Sequence, residues 1–402
     1  MGLGLLIDAP RTRLDWSSLE RALLGAIGDV DLRAQARIVQ SQGQLELWLH
    51  PATEPVEFRA EAGRLICSAK TNPAGPGYHA FLVELLERAG SDLGLKWRWN
   101  ASDVPDLGDE CGYHGSRDFF DLQRQMLAWL QALCREVLDM DDVSNIGVCM
   151  PIGTRPLLEA AMHSPMGTWG RDWITMAAEG GDSLRACGQA FFPWWNRGLD
   201  ASFWHGVGTT LAWTEVAWHP PLDADEQRAV NLTLAAFAKA HALDPSLPLP
   251  DLELAELQKL RGGDPEQAVP PRTKGIGFRR GAVAWPLAGG WNIQLPGYWY
   301  LQVEDGTHIL WFGDRTVRAT TFTAEGAARD ALLEQVQPET AGGKQFAWRN
   351  QVCRARAELQ RADDHWQLQA AVARDGAFAF VTITYVDAND EDWALGVARS
   401  VG

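Results

Sequence analysis

Late in the chain, residues 366–386 read WQLQAAVARDGAFAFVTITYV. Two runs of alternating apolar and polar residues flank Arg374-Asp375-Gly376, which is typical of a hairpin turn. Alternation with a period of two places one side of each strand against a core. The stretch therefore predicts an antiparallel hairpin inside a sheet that has one buried face.

The same alternation extends on both sides of this hairpin and predicts a small sheet domain with two helices. The predicted strands cover residues 291–295, 298–303, 309–312, 317–322 and 352–359, and the predicted helices cover residues 324–336 and 390–401. Strands, a helix, more strands and a final helix predict an α+β sandwich.

The first part of the chain contains both strand-like and helix-like patterns. Residues 32–69 predict an antiparallel meander, and residues 78–93 form an amphipathic helical pattern, as do the residues after Ser116. A short helix is predicted for residues 17–27, with Ser17 and Glu20 as its capping box. Residues 151–210 have weak periodicity. Residues 209–218 alternate and predict a strand, and residues 223–242 predict a helix.

The length of 402 residues exceeds the usual size of one hydrophobic core, so two domains are expected. Glycine, proline and charged residues are concentrated between Arg261 and Gly281, with no apolar period. We predict an N-terminal α+β domain at 1–260, a linker at 261–281 and a C-terminal domain at 282–402. The predicted fold class is α+β, with two domains that are each a mainly antiparallel sheet with flanking helices.

The composition limits the classes of partner that the protein can bind and indicates the cellular compartment. The formal net charge of −16 argues against a nucleic acid or an anionic membrane as a partner. None of the six cysteines forms a C-x-x-C pair, which indicates buried thiols in a reducing compartment. No basic residue precedes the apolar run at residues 3–7, and no run approaches ~18 apolar residues. We predict a cytoplasmic protein without a membrane span, a metal site or a cofactor.

Several short motifs in the last part of the chain carry a family resemblance. They are Leu295-Pro296-Gly297, Gly313-Asp314-Arg315, Val381-Thr382-Ile383-Thr384-Tyr385, and a final helix with Trp393 that ends Arg399-Ser400-Val401. In this order, residues 285–402 resemble the PsbP-like domains of bacterial proteins, including the effector-associated (Eag) chaperones of type VI secretion. Those chaperones hold apolar effector helices against a sheet face. The resemblance implies a PsbP-like sandwich and a toxin or effector as the one protein partner.

Two histidines share a local motif, Gly77-Tyr78-His79 and Gly112-Tyr113-His114. Carboxylates precede the second motif, at Asp109 and Glu110, where they could orient the imidazole of His114, and Cys111 lies between. A histidine pair with a carboxylate can perform acid–base chemistry, so His79, His114 and Glu110 are the candidate catalytic residues of an enzyme of unrecognised class. The alternative interpretation is that each motif begins a helix with a packing residue.

Tryptophan is abundant, with 19 residues against 5 tyrosines, and a cluster lies between Phe191 and Trp218. Trp194, Trp195, Arg197 and Trp204 combine the residue types that anchor protein interfaces, so we predict a partner-binding surface there. The alternative is a layer of core aromatics. The function expected first is protein binding without catalysis, as a chaperone, adaptor or immunity protein of a bacterial toxin or secretion locus.

Overall fold

The computed structural model describes residues 3–10, 15–100, 107–140, 146–150, 162–335 and 343–402. Contacts between Cα atoms divide the chain into two compact units. The second unit holds residues 217–224 and 258 onwards, and the first unit holds most of the remainder. The domain limits at 260 and 282 stay a prediction.

The structure is of the predicted α+β class, and its sheets are mainly antiparallel. Up to residue 260, the strands are β1 (Gly4–Pro10), β2 (Arg37–Ser41), β3 (Gln44–Trp48), β4 (Val56–Glu61), β5 (Arg64–Lys70), β6 (Gly108–Asp109), β7 (Ile146–Gly147), β8 (Met162–Ser164) and β9 (Gly167–Trp169). The helices there are α1 (Trp16–Ala26), α2 (Val30–Gln35), α3 (Pro76–Leu93), α4 (Tyr113–Ser116), α5 (Phe119–Asp139), α6 (Arg171–Glu179), α7 (Leu184–Phe191), α8 (Ala201–Thr214), α9 (Ala224–Leu243) and α10 (Asp251–Leu260).

The first unit is built on a six-stranded sheet with the order β2-β3-β4-β5-β1-β6. The hairpins from β2 to β5 confirm the predicted meander. Inward side chains such as Leu47 and Phe58 are fully buried, in one core with Leu23 of α1 and Leu82 of α3. Strand β1, which no prediction included, pairs with both β5 and β6, and it joins the site described below to the sheet.

The second unit contains a two-stranded and a seven-stranded antiparallel sheet. Its strands are β10 (Ala282–Pro286), β11 (Asn292–Pro296), β12 (Tyr300–Glu304), β13 (Thr307–Phe312), β14 (Arg315–Thr323), β15 (Lys344–Arg349), β16 (Arg354–Arg361), β17 (Trp366–Arg374) and β18 (Ala377–Tyr385). Its helices are α11 (Arg329–Gln335) and α12 (Glu391–Arg399). The larger sheet has the order β12-β13-β14-β18-β17-β16-β15, so β12 and β15 are its edges in the described part of the chain.

The hairpin predicted from residues 366–386 is confirmed, with Arg374 paired to Ala377 across its turn. Leu368, Val381 and Ile383 point to one face and share a core with Leu395 of α12. The other face packs at one end against Leu332 and Leu333 of α11.

Three local predictions were wrong. Residues 209–214 are helical and form the end of α8. That helix begins after Asp200, whose side chain accepts from the backbone N–H of Phe203. This helix is buried on nearly all sides, so its apolar residues show no helical period. Residues 32–35 belong to α2, which Asp29 caps. The cap of α1 is Asp15 and not Ser17.

The segment predicted as a linker contains two short 3-10 helices, Pro265–Gln267 and Phe278–Arg280. Arg280 is buried, and its guanidinium lies 3.6 Å from the ring centroid of Trp218. Part of the segment therefore belongs to the packed structure of the second unit. In the portion of the chain that the structure describes, no helix has the length and apolarity needed to cross a bilayer.

Candidate functional site

A chain of hydrogen bonds joins three buried polar side chains in the first unit. The Oγ1 of Thr71 lies 2.8 Å from Nδ1 of His79, and Nε2 of the same ring lies 2.9 Å from Oδ1 of Asp109. Thr71 and His79 have no exposed surface, and the side chain of Asp109 is 1% exposed. Burial of three polar groups is tolerated because each is hydrogen-bonded to another.

Local sequence explains how these residues meet. Thr71 directly follows β5, and its backbone N–H donates to the carbonyl of Leu3 next to β1. The turn that follows places Gly75 at a φ of 105°, which glycine adopts readily, and α3 begins at Pro76. His79 therefore lies in the first turn of α3 and points back toward the sheet.

Asp109 accepts two backbone hydrogen bonds, one from the second Gly-Tyr-His motif and one from the cysteine that precedes it. The backbone N–H of Cys111 donates to Oδ1 at 3.0 Å, and the N–H of His114 donates to Oδ2 at 2.6 Å. Burial raises the pKa of Asp109, but His79 and these two N–H groups outweigh burial and lower it overall. Burial and the nearby carboxylates raise the pKa of the Cys111 thiol to about 12.

The two motifs are thus joined at one carboxylate, but their imidazoles have different partners. The Nε2 of His114 lies 3.1 Å from Glu87, and its ring stacks on Trp99 with centroids 4.2 Å apart. Glu110 accepts from the backbone N–H of Gly4 at 2.6 Å. Of the three candidate catalytic side chains, only His79 takes part in the buried hydrogen-bond chain, and His114 contributes its backbone alone.

Glu110 instead borders an open groove of about 430 Å³ beside β1 and β5. The charged side chains that line it are Glu54, Glu57, Lys70 and Glu110. Lys70 is paired with Glu54 at 3.0 Å, and both side chains are more than 60% exposed. Such an exposed pair is weak and does not define a site for a particular ligand.

The buried group supports two kinds of chemistry by its donor set. A hydroxyl, an imidazole and a carboxylate are hydrogen-bonded in the order of a nucleophile, a base and an orienting acid, but the hydroxyl lies at Nδ1 and the carboxylate at Nε2, the reverse of the serine-protease arrangement. His79, Asp109 and Cys111 also offer nitrogen, oxygen and sulfur atoms that all lie within 4.8 Å of one another. Catalysis requires access for a substrate, whereas a structural ion is normally enclosed.

The predicted partner-binding tryptophans are core residues, so the expectation that they anchor a partner at the surface was wrong. Trp194, Trp195 and Trp204 are 0%, 3% and 1% exposed. Trp194 packs against Phe203 with centroids 4.3 Å apart and donates to the carbonyl of Gly198 at 3.0 Å. The segment that contains Trp194 and Trp195 is neither strand nor helix, and it directs both rings into the core.

Arg197 is the exposed member of that predicted set. Its guanidinium donates to Glu84 of α3 at 2.7 Å, and its side chain is 59% exposed. Arg197 therefore forms a surface ion pair. The tryptophans that made it a candidate anchor are buried, so they cannot contact a partner beside it.

Sequence reasoning missed Thr71 entirely and gave Asp109 the wrong partner. Thr71 follows a strand in a polar turn, where nothing local distinguishes it from other threonines. The signal that was available was the position of His79 in a first helical turn directly after a strand, which brings it close to the residues that end that strand.

A scan against models of known protein families finds no match for this chain, and a search of curated proteins finds none either.

Proposed function

We propose that the protein binds one protein partner without catalysis, by adding a strand of the partner to the edge strand β12. The observation that carries this proposal is the exposure of Leu301 and Val303, which are 37% and 55% accessible on that edge. An exposed apolar edge strand is a template for pairing with another chain, and folded proteins normally protect such edges.

The backbone of β12 is suited to this pairing. The two-residue turn Asp305-Gly306 joins β12 to β13, with φ values of 47° and 79°. Such a turn makes Glu304 and Thr307 a hydrogen-bonded pair, and the pattern alternates along an antiparallel ladder. Tyr300 and Gln302 therefore bond inward to β13, and the N–H and C=O groups of Leu301 and Val303 point outward.

The opposite edge of the same sheet supports the choice of β12. Strand β15 has Lys344 and Arg349 at its ends, and charged side chains, lysine above all, are the usual protection of an edge. Strand β12 has one charged residue, Glu304. Because this charge and the net charge of −16 are negative, we expect the partner strand to alternate apolar side chains with basic ones.

The resemblance of residues 285–402 to PsbP-like domains gives a separate reason to expect a toxin or effector as the partner. The proposed role is then that of a cytoplasmic chaperone, adaptor or immunity protein in a bacterial toxin or secretion locus.

Partner capture uses two exposed apolar positions of the second unit. Leu301 is 37% exposed on β12, and Val352 is 60% exposed in the connection before β16. A photo-crosslinking residue at position 301 should capture one protein in stoichiometric amount from native lysate, and one at position 352 should not. The crosslinked peptide of the partner should have the expected apolar and basic alternation.

Substitution then tests the edge itself. We expect Val303→Asp to weaken binding of the captured partner at least tenfold, because it places a carboxylate where an apolar side chain of the partner packs. Val352→Asp should leave the affinity unchanged, and both variants should keep the melting temperature within a few degrees because both positions are exposed. Equal affinities for the two variants would place the interface elsewhere.

A second candidate function is hydrolysis at Thr71, favoured by the hydrogen-bond order of Thr71, His79 and Asp109. It requires an opening motion that exposes the hydroxyl, since the group is buried. An electrophilic phosphonate probe should then label Thr71 in the native chain and should not label a His79→Gln variant. Absence of labelling at Thr71 would remove this candidate and would leave partner binding untouched.

A further inference from the structure

Among the residues that the structure describes, His79, Asp109 and Cys111 form a group that could hold a metal ion, with donor atoms all within 4.8 Å of one another. All three residues are buried. Zinc ligands lie ~2.0–2.3 Å from the ion, so neighbouring donors of a tetrahedral site are about 3.5 Å apart. Small movements of side chains are therefore enough to close three ligands around an ion.

The hydroxyl of Thr71 can serve the imidazole in two ways. It lies 2.8 Å from Nδ1 of His79 and 3.1 Å from the carbonyl oxygen of Leu3, and its single proton can be donated to one of them. When the proton goes to the imidazole, the Nε2–H of His79 donates to Asp109. When it goes to Leu3, Nδ1–H donates to Thr71, and the lone pair of Nε2 faces the carboxylate of Asp109.

The second arrangement places a nitrogen lone pair 2.9 Å from a carboxylate oxygen, which is unfavourable unless a proton or a metal ion lies between them. It is also the arrangement of a metal-bound histidine, whose other ring nitrogen donates to an oxygen atom. Thr71 would be that orienting oxygen.

Asp109 is oriented in the same manner. Its Oδ2 accepts from the N–H of His114, and its Oδ1 accepts from the N–H of Cys111. An oxygen of a carboxylate has two lone pairs, so Oδ1 keeps one for an ion. The backbone donors hold the carboxylate toward Nε2 of His79, in the direction that a shared ion requires.

We propose that His79, Asp109 and Cys111 bind a zinc ion, with Thr71 as the residue that orients His79. Nitrogen, sulfur and oxygen donors together suit zinc better than magnesium or calcium, which prefer oxygen alone. Three protein ligands leave the fourth tetrahedral position for a water molecule. The ion would fasten the start of α3 to β6 and to the turn before α4, and its role is structural because the three ligands are buried. The proposal is independent of partner binding at β12.

The experiment uses the full chain, unfolded with a chelator and refolded with and without one equivalent of zinc. We expect one zinc ion per chain by elemental analysis and a melting temperature several degrees higher than that of the metal-free protein. Refolding with cobalt should give the intense visible bands of a tetrahedral site and a thiolate-to-cobalt charge-transfer band.

Two cysteine variants assign that band. Cys111→Ser should lose it, and Cys353→Ser, which changes a buried cysteine of the second unit, should keep it. Asp109→Asn should lower the zinc affinity at least tenfold.

Three outcomes would overturn the proposal. They are wild-type protein that retains no zinc after refolding, a wild-type cobalt spectrum without the thiolate band, and retention of that band in Cys111→Ser. The first two need no variant, so they decide the question even if Cys111→Ser fails to fold.

Discussion

At the scale of single residues, His50 shows how burial controls charge in the aromatic core. Its ring is 3% exposed and lies about 6 Å from the rings of Trp194 and Phe203. Burial lowers the pKa of His50 to about 3, whereas an unfolded histidine titrates near 6.5. Below the unfolded value only the unfolded chain gains a proton, so His50 reduces the free energy of unfolding progressively from about pH 6.5 to about pH 3.

We therefore expect His50→Asn to make the protein less sensitive to acid. The side-chain oxygen of asparagine can still accept from the N–H of Ala52, which donates to Nδ1 of His50 at 3.1 Å. Urea denaturation at about pH 7 and about pH 4.5 should show a smaller loss of stability for this variant than for wild type. The partly exposed His365 gives the control, and His365→Asn should behave as wild type. An unchanged acid sensitivity in His50→Asn would contradict the role of burial.

Trp194 tests the aromatic core directly. Its ring is fully buried and packs against Phe81 and Phe203, so Trp194→Ala should lower the free energy of unfolding by roughly 3–5 kcal/mol. Trp173 is partly exposed, and its alanine variant should cost less. Chemical denaturation measures both. A Trp194→Ala variant with wild-type stability would restore the prediction that this ring is a surface anchor.

At the scale of elements, Asp8 fastens β1 to its neighbours. Arg98 donates to it through two bonds of 2.7 and 2.8 Å, and Arg64 of β5 forms a further ion pair. The hydrogen bonds and charges of Arg98 and Arg64 lower the pKa of Asp8 to about 2 against the opposing effect of burial. The ion pairs therefore contribute their full stabilisation above about pH 4 and lose it as the pH falls towards 2.

Asp8→Asn should thus lower the free energy of unfolding by about 2 kcal/mol at neutral pH, and the difference from wild type should vanish near pH 2. Glu57→Gln is the control, since Glu57 pairs with Arg59 at an exposed position and should contribute at most ~0.5 kcal/mol. Denaturation curves across pH provide the comparison. A constant difference at all pH values would show that the cost comes from packing and not from charge.

The elements differ in how far local sequence determines them. The strands from β16 to β18 and the meander from β2 to β5 have one buried face, so the alternation in sequence reports their geometry. Helix α8 is buried on nearly all sides, so its apolar residues do not follow the helical period. Gly206 and Gly208 let neighbouring residues, Pro193 and Phe237, approach the helix backbone closely. Strand β15 was missed because its polar side chains alternate with only two partly buried rings, Phe346 and Trp348.

At the scale of the whole molecule, the candidate site depends on contacts between distant parts of the chain. The motif containing His79 and the carboxylate of Asp109 were both visible in sequence, but Asp109 was assigned to the nearby His114. The bond to His79 spans thirty residues, and it forms because β1 pairs with β5 on one side and with β6 on the other. No local pattern encodes that pairing, which is why Thr71 was overlooked.

The location of a partner-binding surface could not be predicted from the sequence either, because it depends on which apolar residues the fold buries. Aromatic residues anchor both cores and interfaces, so the richness in tryptophan between residues 191 and 218 could not distinguish the two. The apolar residues on β12 are ordinary in composition, and their exposure becomes evident only when the strand order makes β12 an edge.

Amide hydrogen exchange reports directly on whether a partner strand pairs with β12. In the free protein, the outward amides of Leu301 and Val303 should exchange quickly, whereas the inward amide of Gln302 should be protected. Saturation with the partner captured from position 301 should slow exchange at Leu301 and Val303 at least tenfold and leave the exposed Val352 unchanged. A bound partner that leaves exchange at Leu301 and Val303 unaltered would contradict strand addition at β12.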